Sequence, residues 1–227
     1  EEFPVKRLTI NIKELFDKYH HAWVFLYGFI YMPWFSWLEK HVTSNYFVIH
    51  SVFDDYIPFI EIFIIPYLLW FVYVSGTVLY FFFTDKQGFY RICTLLITGM
   101  TLFLIICTIF PNGLNLRPST FARDNIFVDL VRFIYRADTS TNVLPSLHVY
   151  NSIGCYIAIR NSQKLRQYKW VQNGSLVLTV SIVLSTMFLK QHSVVDVIAA
   201  IVMIYFIYQF VYIPEQVKAP ALAQPTI

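Results

Sequence analysis

Long apolar runs separated by short polar segments dominate the sequence. Six runs approach or exceed the ~20 mostly apolar residues that a helix needs to cross the hydrocarbon core of a bilayer. They are residues 21–38, 57–83, 89–110, 145–159, 171–189 and 194–213. The run 145–159 is short and includes polar residues, so its polar end is expected to face protein or water. The pattern predicts an all-α integral membrane bundle of about six transmembrane helices.

The longest segment between two predicted spans, residues 112–143, has a pattern of its own. Apolar residues recur there at helical spacing beside two arginines, in the set Phe127, Leu130, Val131, Ile134, Arg132 and Arg136. An amphipathic helix of this kind is typical of a segment that lies in the membrane interface. We therefore predict one interfacial helix in this loop.

The composition supports the same class of protein. Hydrophobic residues make up 57% of the 227 residues and charged residues only 14%, which is too little polar surface to cover a water-soluble globule. No linker, repeat or low-complexity tract divides the chain, so residues 1–227 are predicted to form a single membrane domain. The net charge of +3 is spread over short segments, which argues against nucleic acid as a partner.

The distribution of Lys and Arg predicts the orientation, because these residues are retained on the cytoplasmic side of short loops. Eleven of the seventeen would lie on the side of the two termini, namely Lys6, Arg7, Lys13, Lys18, Lys86, Arg91, Arg160, Lys164, Arg166, Lys169 and Lys218. We expect a multi-pass cell-membrane protein with both termini in the cytoplasm and residues 112–143 outside. The sequence does not indicate an oligomeric state.

Three short stretches are expected to emerge at the outer membrane face and carry candidate chemistry. The first is N-L-R-P, the second is L-P-S-L-H, and the third runs from residue 185 to residue 196. Their candidate residues are Arg117, Ser146, His148, Ser185, Lys190, His192 and Asp196. Residues far apart in sequence could therefore converge on one site.

The third stretch has the spacing of an activated nucleophile. His192 and Asp196 are four residues apart, so the carboxylate could hold one ring nitrogen and leave the other free to attack phosphorus. His148 could then protonate the leaving oxygen as a general acid. Arg117 offers a planar fork for two phosphate oxygens, Lys190 a point charge, and Ser146 a position at a helix N-terminus.

Other interpretations of these residues remain open. Ser193 and Asp196 fit a helix capping box, which would give Asp196 a structural role. His148, His192 and Asp196 are possible metal ligands, but no further ligand motif completes a site, so neither a metal nor an organic cofactor is predicted. Intramembrane His and Asp also occur in proton-coupled transporters, and a catalytically inactive scaffold is a further alternative.

The three stretches resemble the motifs of the type 2 phosphatidic acid phosphatase superfamily, which includes lipid phosphate phosphatases and shares its site with vanadium haloperoxidases. That pattern is Lys, six residues, Arg-Pro; then Pro-Ser-Gly-His; then Ser-Arg, five residues, His, three residues, Asp. The matching residues are Arg117, Pro118, Pro145, Ser146, His148, Ser185, His192 and Asp196. The resemblance covers about residues 110–200, the motif-bearing catalytic core. It implies a lipid phosphatase that hydrolyses a lipid phosphomonoester or diphosphate through a phosphohistidine at His192, with phosphate held by Arg117, Ser146 and Ser185.

The chain departs from that pattern at three positions, where Phe110, Leu147 and Thr186 replace the expected lysine, glycine and arginine. Lys190, one helical turn after Thr186, is expected to restore the missing charge if the helix continues that far. With these departures the sequence resembles the branch of the superfamily that contains inositol phosphorylceramide synthase. That branch passes a phosphoryl headgroup to an alcohol, so a lipid phosphotransferase is the alternative function.

Overall fold

The computed structural model describes residues 12–212 and is a bundle of helices. The helices are α1 (Ile12–Tyr19), α2 (Gly28–His41), α3 (Val52–Tyr56), α4 (Ile64–Thr84), α5 (Lys86–Ile109), α6 (Ile126–Ala137), α7 (Leu147–Asn161), α8 (Lys169–Phe188) and α9 (Val194–Val211). Two 3₁₀ helices, His20–Tyr27 and Glu61–Phe63, lead into α2 and α4. The predicted all-α membrane bundle is confirmed. Lys6, Arg7 and Lys218, which contributed to the predicted orientation, lie outside the described residues.

Among residues 12–212, four helical segments are long and apolar enough to cross a membrane: Glu61–Thr84, Lys86–Ile109, Lys169–Phe188 and Val194–Val211. The first predicted span is the 3₁₀ helix His20–Tyr27 continued by α2, and together they extend about 37 Å at ~2.0 and ~1.5 Å per residue. The fourth predicted span, α7, has only 15 residues. The count of six spans therefore stays a prediction.

The outer surface of the bundle is apolar, as contact with lipid requires. Large hydrophobic side chains are exposed on α4, α8 and α9, among them Val72, Val177, Phe206 and Phe210. On a water-soluble protein such a continuous apolar surface would be unfavourable. Its presence here follows from the long apolar runs of the sequence.

Helix α7 is the central helix of the bundle and packs against α4, α5, α8 and α9. Its short, partly polar sequence fits this position, because Asn151 and Ser152 are buried among protein atoms and do not face lipid. The contact with α5 is very close at Gly99, where an added Cβ would lie 2.1 Å from the ring of Tyr150. The Tyr150 hydroxyl donates to the Leu95 carbonyl of α5 at 2.7 Å.

The predicted amphipathic helix of the 112–143 segment is present as α6. Val128 and Val131 are buried on its inner side, while Ile126 and Phe133 are exposed. It packs against α4 and the 3₁₀ helix Glu61–Phe63. This brings the end of α6 next to the segment that leads into α7.

A small two-stranded element organises the loops at this end of the bundle. Strand β1 (Phe47–Val48) pairs in parallel with β2 (Asn112–Gly113). Asn112 is fully buried, and its Oδ1 accepts hydrogen bonds from the backbone N–H groups of Val143 and Leu144 at 3.0 and 2.9 Å. The chain entering α7 is therefore fixed by one amide side chain, just before residues 145–148.

Candidate active site

The two histidines of the second and third stretches meet at one cavity. His148 lies in the first turn of α7, and His192 lies in the short connection between α8 and α9. Their ring centroids are 5.8 Å apart. Both rings line a cavity of about 320 Å³. The predicted convergence of these two residues is therefore present in the structure.

His192 is held by a backbone hydrogen bond and lies beside Asp196. Its N–H donates to the Thr186 carbonyl at 3.1 Å, and its Nδ1 lies 3.4 Å from Asp196 Oδ2. The same carboxylate oxygen accepts the Ser193 N–H at 2.8 Å within a complete capping box. Asp196 thus caps α9 and faces the imidazole at once, so the two roles that the sequence left open are compatible. With Nδ1 turned to Asp196, Nε2 is the ring nitrogen available for attack.

Asp54 anchors the start of α9 from a distant part of the chain. Its Oδ2 accepts the Ser193 hydroxyl at 2.6 Å and its Oδ1 accepts the Val194 N–H at 2.8 Å. Oδ2 also accepts the Ser51 N–H at 2.8 Å, which closes a capping box at the start of α3. The sequence reasoning missed Asp54, although the S-x-x-D spacing of Ser51 and Asp54 is a capping signal.

His148 is oriented by aromatic packing and by a link between helices. Its ring stacks on Tyr67 at 4.5 Å and lies 4.4 Å from the ring of Trp70. Its buried Nε2 has no hydrogen-bond partner within residues 12–212. The N–H of Ser146 donates to the Asp196 carbonyl at 3.2 Å, which ties the start of α7 to the start of α9. The two histidines are therefore held by a shared backbone framework.

Arg117 lies beside the cavity but does not line it. Its guanidinium donates to the carbonyls of Tyr135, Asp138 and Thr139 and to Gln191 Oε1, at 2.5–3.1 Å. It also lies over the Tyr135 ring, 4.6 Å from its centroid. Burial lowers the pKa of the guanidinium. In this structure Arg117 joins the end of α6 to the residue that precedes His192, and its role as a phosphate ligand stays a prediction.

The other three predicted phosphate ligands are also engaged by the protein. Ser146 is buried, and its Oγ accepts the Val149 N–H as the N-cap of α7. Ser185 Oγ donates to the Ile182 carbonyl. Lys190 Nζ donates to the carbonyls of Asp54 and Ile57, and burial lowers its pKa. None of the three lines the cavity, so their contact with phosphate is untested.

The proposed replacement of the missing arginine by Lys190 depended on the length of α8. That helix ends at Phe188, and Lys190 has a left-handed backbone with φ 53°. The chain has therefore left the helix before Lys190, whose side chain reaches the end of α3 instead of following the face of Thr186.

The cavity has a wall that the sequence did not indicate. Glu39 at the end of α2 and Asp138 directly after α6 line it together with Asn142, and none of the described residues that line it is Lys or Arg. Burial raises the pKa of the Asp138 carboxyl. No local pattern predicted these residues, because they come from two segments about a hundred positions apart.

Within residues 12–212 no cluster of three or more His, Cys, Asp and Glu side chains is placed to hold a metal ion.

Comparison with known families gives one match. The sequence profile described as PAP2 superfamily matches residues 92–217, which is more than half of the chain and includes both histidines. No curated protein matches this chain. No solved structure matches it either.

Proposed function

Because the chain belongs to the PAP2 superfamily, whose members are phosphatases and phosphotransferases, we propose that it is a membrane enzyme that transfers a lipid phosphoryl group through a phosphohistidine at His192. The observation that carries the proposal is the pairing of His192 with His148 at one cavity, with Asp196 behind His192. A phosphoryl group in this cavity can contact both rings. One histidine can then act as nucleophile while the other handles the proton.

In the first step, Nε2 of His192 forms a bond to phosphorus and the bond from phosphorus to the lipid oxygen breaks. His148 gives its proton to that leaving oxygen, while Asp196 keeps the His192 ring oriented. In the second step, water or an alcohol attacks phosphorus, His148 takes back a proton, and the phosphorus–nitrogen bond breaks. Fixed donors around the phosphoryl oxygens would stabilise the charge of the transition state.

The first substrate class that we propose is a lipid phosphomonoester or diphosphate, with water as acceptor. Transfer to an alcohol is the second candidate, and the altered motif position Leu147, which lines the cavity, favours it. The site is proposed to open on the extracytoplasmic side, because the loop containing α6 covers it and that loop is predicted to be outside. The proposed chemistry uses no metal or organic cofactor.

The test uses the purified full chain in detergent with a chelator and ³²P-labelled phosphatidic acid. We expect an acid-labile, base-stable label on the protein, and release of phosphate or its transfer to an added alcohol. His192→Ala should abolish the label and lower turnover at least about 10³-fold. His20→Ala is the matched control, because His20 is exposed and bonded to Asp17 and Lys86 far from the cavity.

Absence of label in the wild-type chain, with no turnover of any lipid phosphate, would overturn the proposal. A transporter or an inactive scaffold would give that result. A label that persists in His192→Ala would instead place the nucleophile elsewhere.

A further inference from the structure

Three of the side chains that line the cavity together with the histidines carry hydrogen-bond acceptors. The Nδ2 group of Asn142 donates to Glu39 Oε1 at 2.7 Å, which fixes the orientation of the amide. Its Oδ1 is then a buried acceptor with no donor in the part of the chain that the structure describes. Asn142 is only 6% exposed and lines the cavity, so this oxygen is shielded from bulk solvent and has no partner among the described residues. A buried acceptor of this kind can be satisfied by a donor group that enters the cavity.

Two carboxyl side chains, those of Glu39 and Asp138, share the cavity with that oxygen. Glu39 accepts one bond from Asn142 and one from the Thr139 hydroxyl at 2.6 Å, which leaves further lone pairs open on both oxygens. The carboxylate of Asp138 has no hydrogen-bond donor among residues 12–212. Both line the cavity. Arg117, which lies beside the cavity, offsets part of the charge of Asp138. A group with positive charge and N–H donors would be attracted to the remaining negative charge, above all at Glu39.

The remainder of the cavity is aromatic and adds to the attraction for a cation. Its aromatic lining residues are Tyr31, Phe35, Tyr67, Trp70, Phe71 and Phe103. The faces of such rings attract ammonium groups, most strongly where water is excluded. A lining that combines acceptors with aromatic rings distinguishes three kinds of headgroup. A primary ammonium offers both N–H donors and positive charge, a quaternary ammonium lacks the donors, and a polyol lacks the charge.

We propose that the pocket formed by Glu39, Asp138 and Asn142, hereafter the headgroup pocket, binds the primary ammonium of an amino-alcohol phosphodiester headgroup such as that of phosphatidylethanolamine. This inference rests on the proposed function, and it makes the substrate a zwitterionic phosphodiester. His192 would displace diacylglycerol by forming a phosphorus–nitrogen bond, with the proton supplied by His148. The aminoalkyl phosphoryl group stays on His192 until water or an alcohol displaces it and returns a proton to His148.

The first test measures binding without turnover. The full-length His192→Ala protein in detergent is titrated calorimetrically with dihexanoyl forms of phosphatidylethanolamine, phosphatidylcholine, phosphatidylinositol and phosphatidic acid. We expect phosphatidylethanolamine to bind about 10-fold more tightly than the other three, the difference that one charge-assisted hydrogen bond makes. Adding Glu39→Gln should remove this preference. Equal affinities, or tightest binding of phosphatidylinositol, would overturn the proposal.

Glu39→Gln is suited to this test because the amide retains both protein contacts. Its oxygen can still accept from Asn142, and its NH₂ can donate to the Thr139 hydroxyl. Asp138→Asn is a second suitable variant. Since the Asp138 carboxylate accepts no hydrogen bond from residues 12–212, the substitution removes no such bond from the folded protein. Asp129→Asn is the matched control, since Asp129 is exposed and pairs with Arg132 on the outside of α6.

Turnover by the wild-type chain separates the two proposals. If phosphatidic acid labels His192 and the headgroup variants change no substrate preference, the headgroup pocket is wrong and the phosphohistidine mechanism stands. If no lipid labels His192, the proposed function fails, whatever the binding data show. Both proposals are supported if phosphatidylethanolamine labels His192 and both headgroup variants lower its kcat/KM about 10-fold relative to phosphatidic acid, with Asp129→Asn unchanged.

Discussion

Asp54 is predicted to control the position of His192, although it lies more than a hundred residues away in sequence. The carboxylate accepts three hydrogen bonds, from the N–H groups of Ser51 and Val194 and from the hydroxyl of Ser193. It is only 2% exposed, so water cannot replace these bonds. In Asp54→Asn, one oxygen becomes an NH₂ group, and at least one of the backbone N–H groups loses its acceptor.

The cost can be worked from these contacts. A hydrogen bond to a charged group contributes about 1.5–3 kcal/mol, and a buried donor left without an acceptor costs about 1–3 kcal/mol. Since the bonds that remain are weakened by the loss of charge, we expect Asp54→Asn to lower the free energy of unfolding by about 2–4 kcal/mol. Because α9 begins with these bonds and carries Asp196 in its first turn, a shift there misplaces His192. We expect kcat/KM to fall about 10- to 100-fold.

Unfolding titrations in mixed micelles measure the first quantity, and lipid phosphate turnover at a temperature where the variant stays folded measures the second. Asp55→Asn is the matched control, because it makes the same change at the next residue, which is exposed and pairs with His50. If Asp54→Asn has the same free energy of unfolding and the same kcat/KM as Asp55→Asn, the proposed role of Asp54 is refuted.

Three further predictions follow from other contacts. Gly99→Ala puts a methyl group 2.1 Å from the Tyr150 ring and should lower the free energy of unfolding by about 1–3 kcal/mol. Gly174→Ala, with open space around it, should raise the free energy of unfolding by up to ~1 kcal/mol. Unfolding in mixed micelles measures both values, and the opposite ranking would contradict the packing. Asn112→Ala removes the acceptor of two buried N–H groups ahead of α7 and should cost about 2–4 kcal/mol, measured in the same way. Arg117→Lys keeps the charge but loses the fork that bonds four acceptors, so both stability and turnover should fall; unchanged values in unfolding and lipid assays would show that the fork is dispensable.

Several elements of the fold could be predicted from local patterns alone. The lengths and apolar character of α4, α5, α8 and α9 follow from runs in the sequence. The helical spacing of the apolar residues within the segment 112–143 predicted the amphipathic helix α6. The four-residue spacing of His192 and Asp196 likewise predicted their proximity, which is 3.4 Å in the structure. Each of these features depends on neighbours within one or two helical turns, where the geometry of a helix fixes the outcome.

The features that the sequence did not reveal depend on pairs that lie far apart in the chain. Asn142 meets Glu39 across 103 positions, and Asp54 meets Ser193 across 139. A polar residue in a loop carries no periodic signal that names its partner. The direction that the chain takes after a helix also cannot be predicted from local patterns. The sequence analysis expected the Lys190 ammonium near the phosphate, but the chain turns at Lys190 and the side chain points to the end of α3.

The structure shows the surroundings of the three residues that depart from the superfamily pattern. Phe110 directly follows α5 and packs on Phe47. Thr186 is buried, and its carbonyl accepts the N–H of His192. Leu147 lines the cavity. At two of these positions, Phe110 and Thr186 thus stand where the superfamily pattern has cationic side chains, so fewer positive charges are available to offset a phosphate dianion. A substrate that brings its own ammonium needs fewer of them, because a zwitterionic phosphodiester carries a single negative charge at phosphorus and a positive charge for the acidic wall. If the headgroup pocket binds such a substrate, the loss of cationic residues and the carboxyl groups of Glu39 and Asp138 are parts of one charge balance.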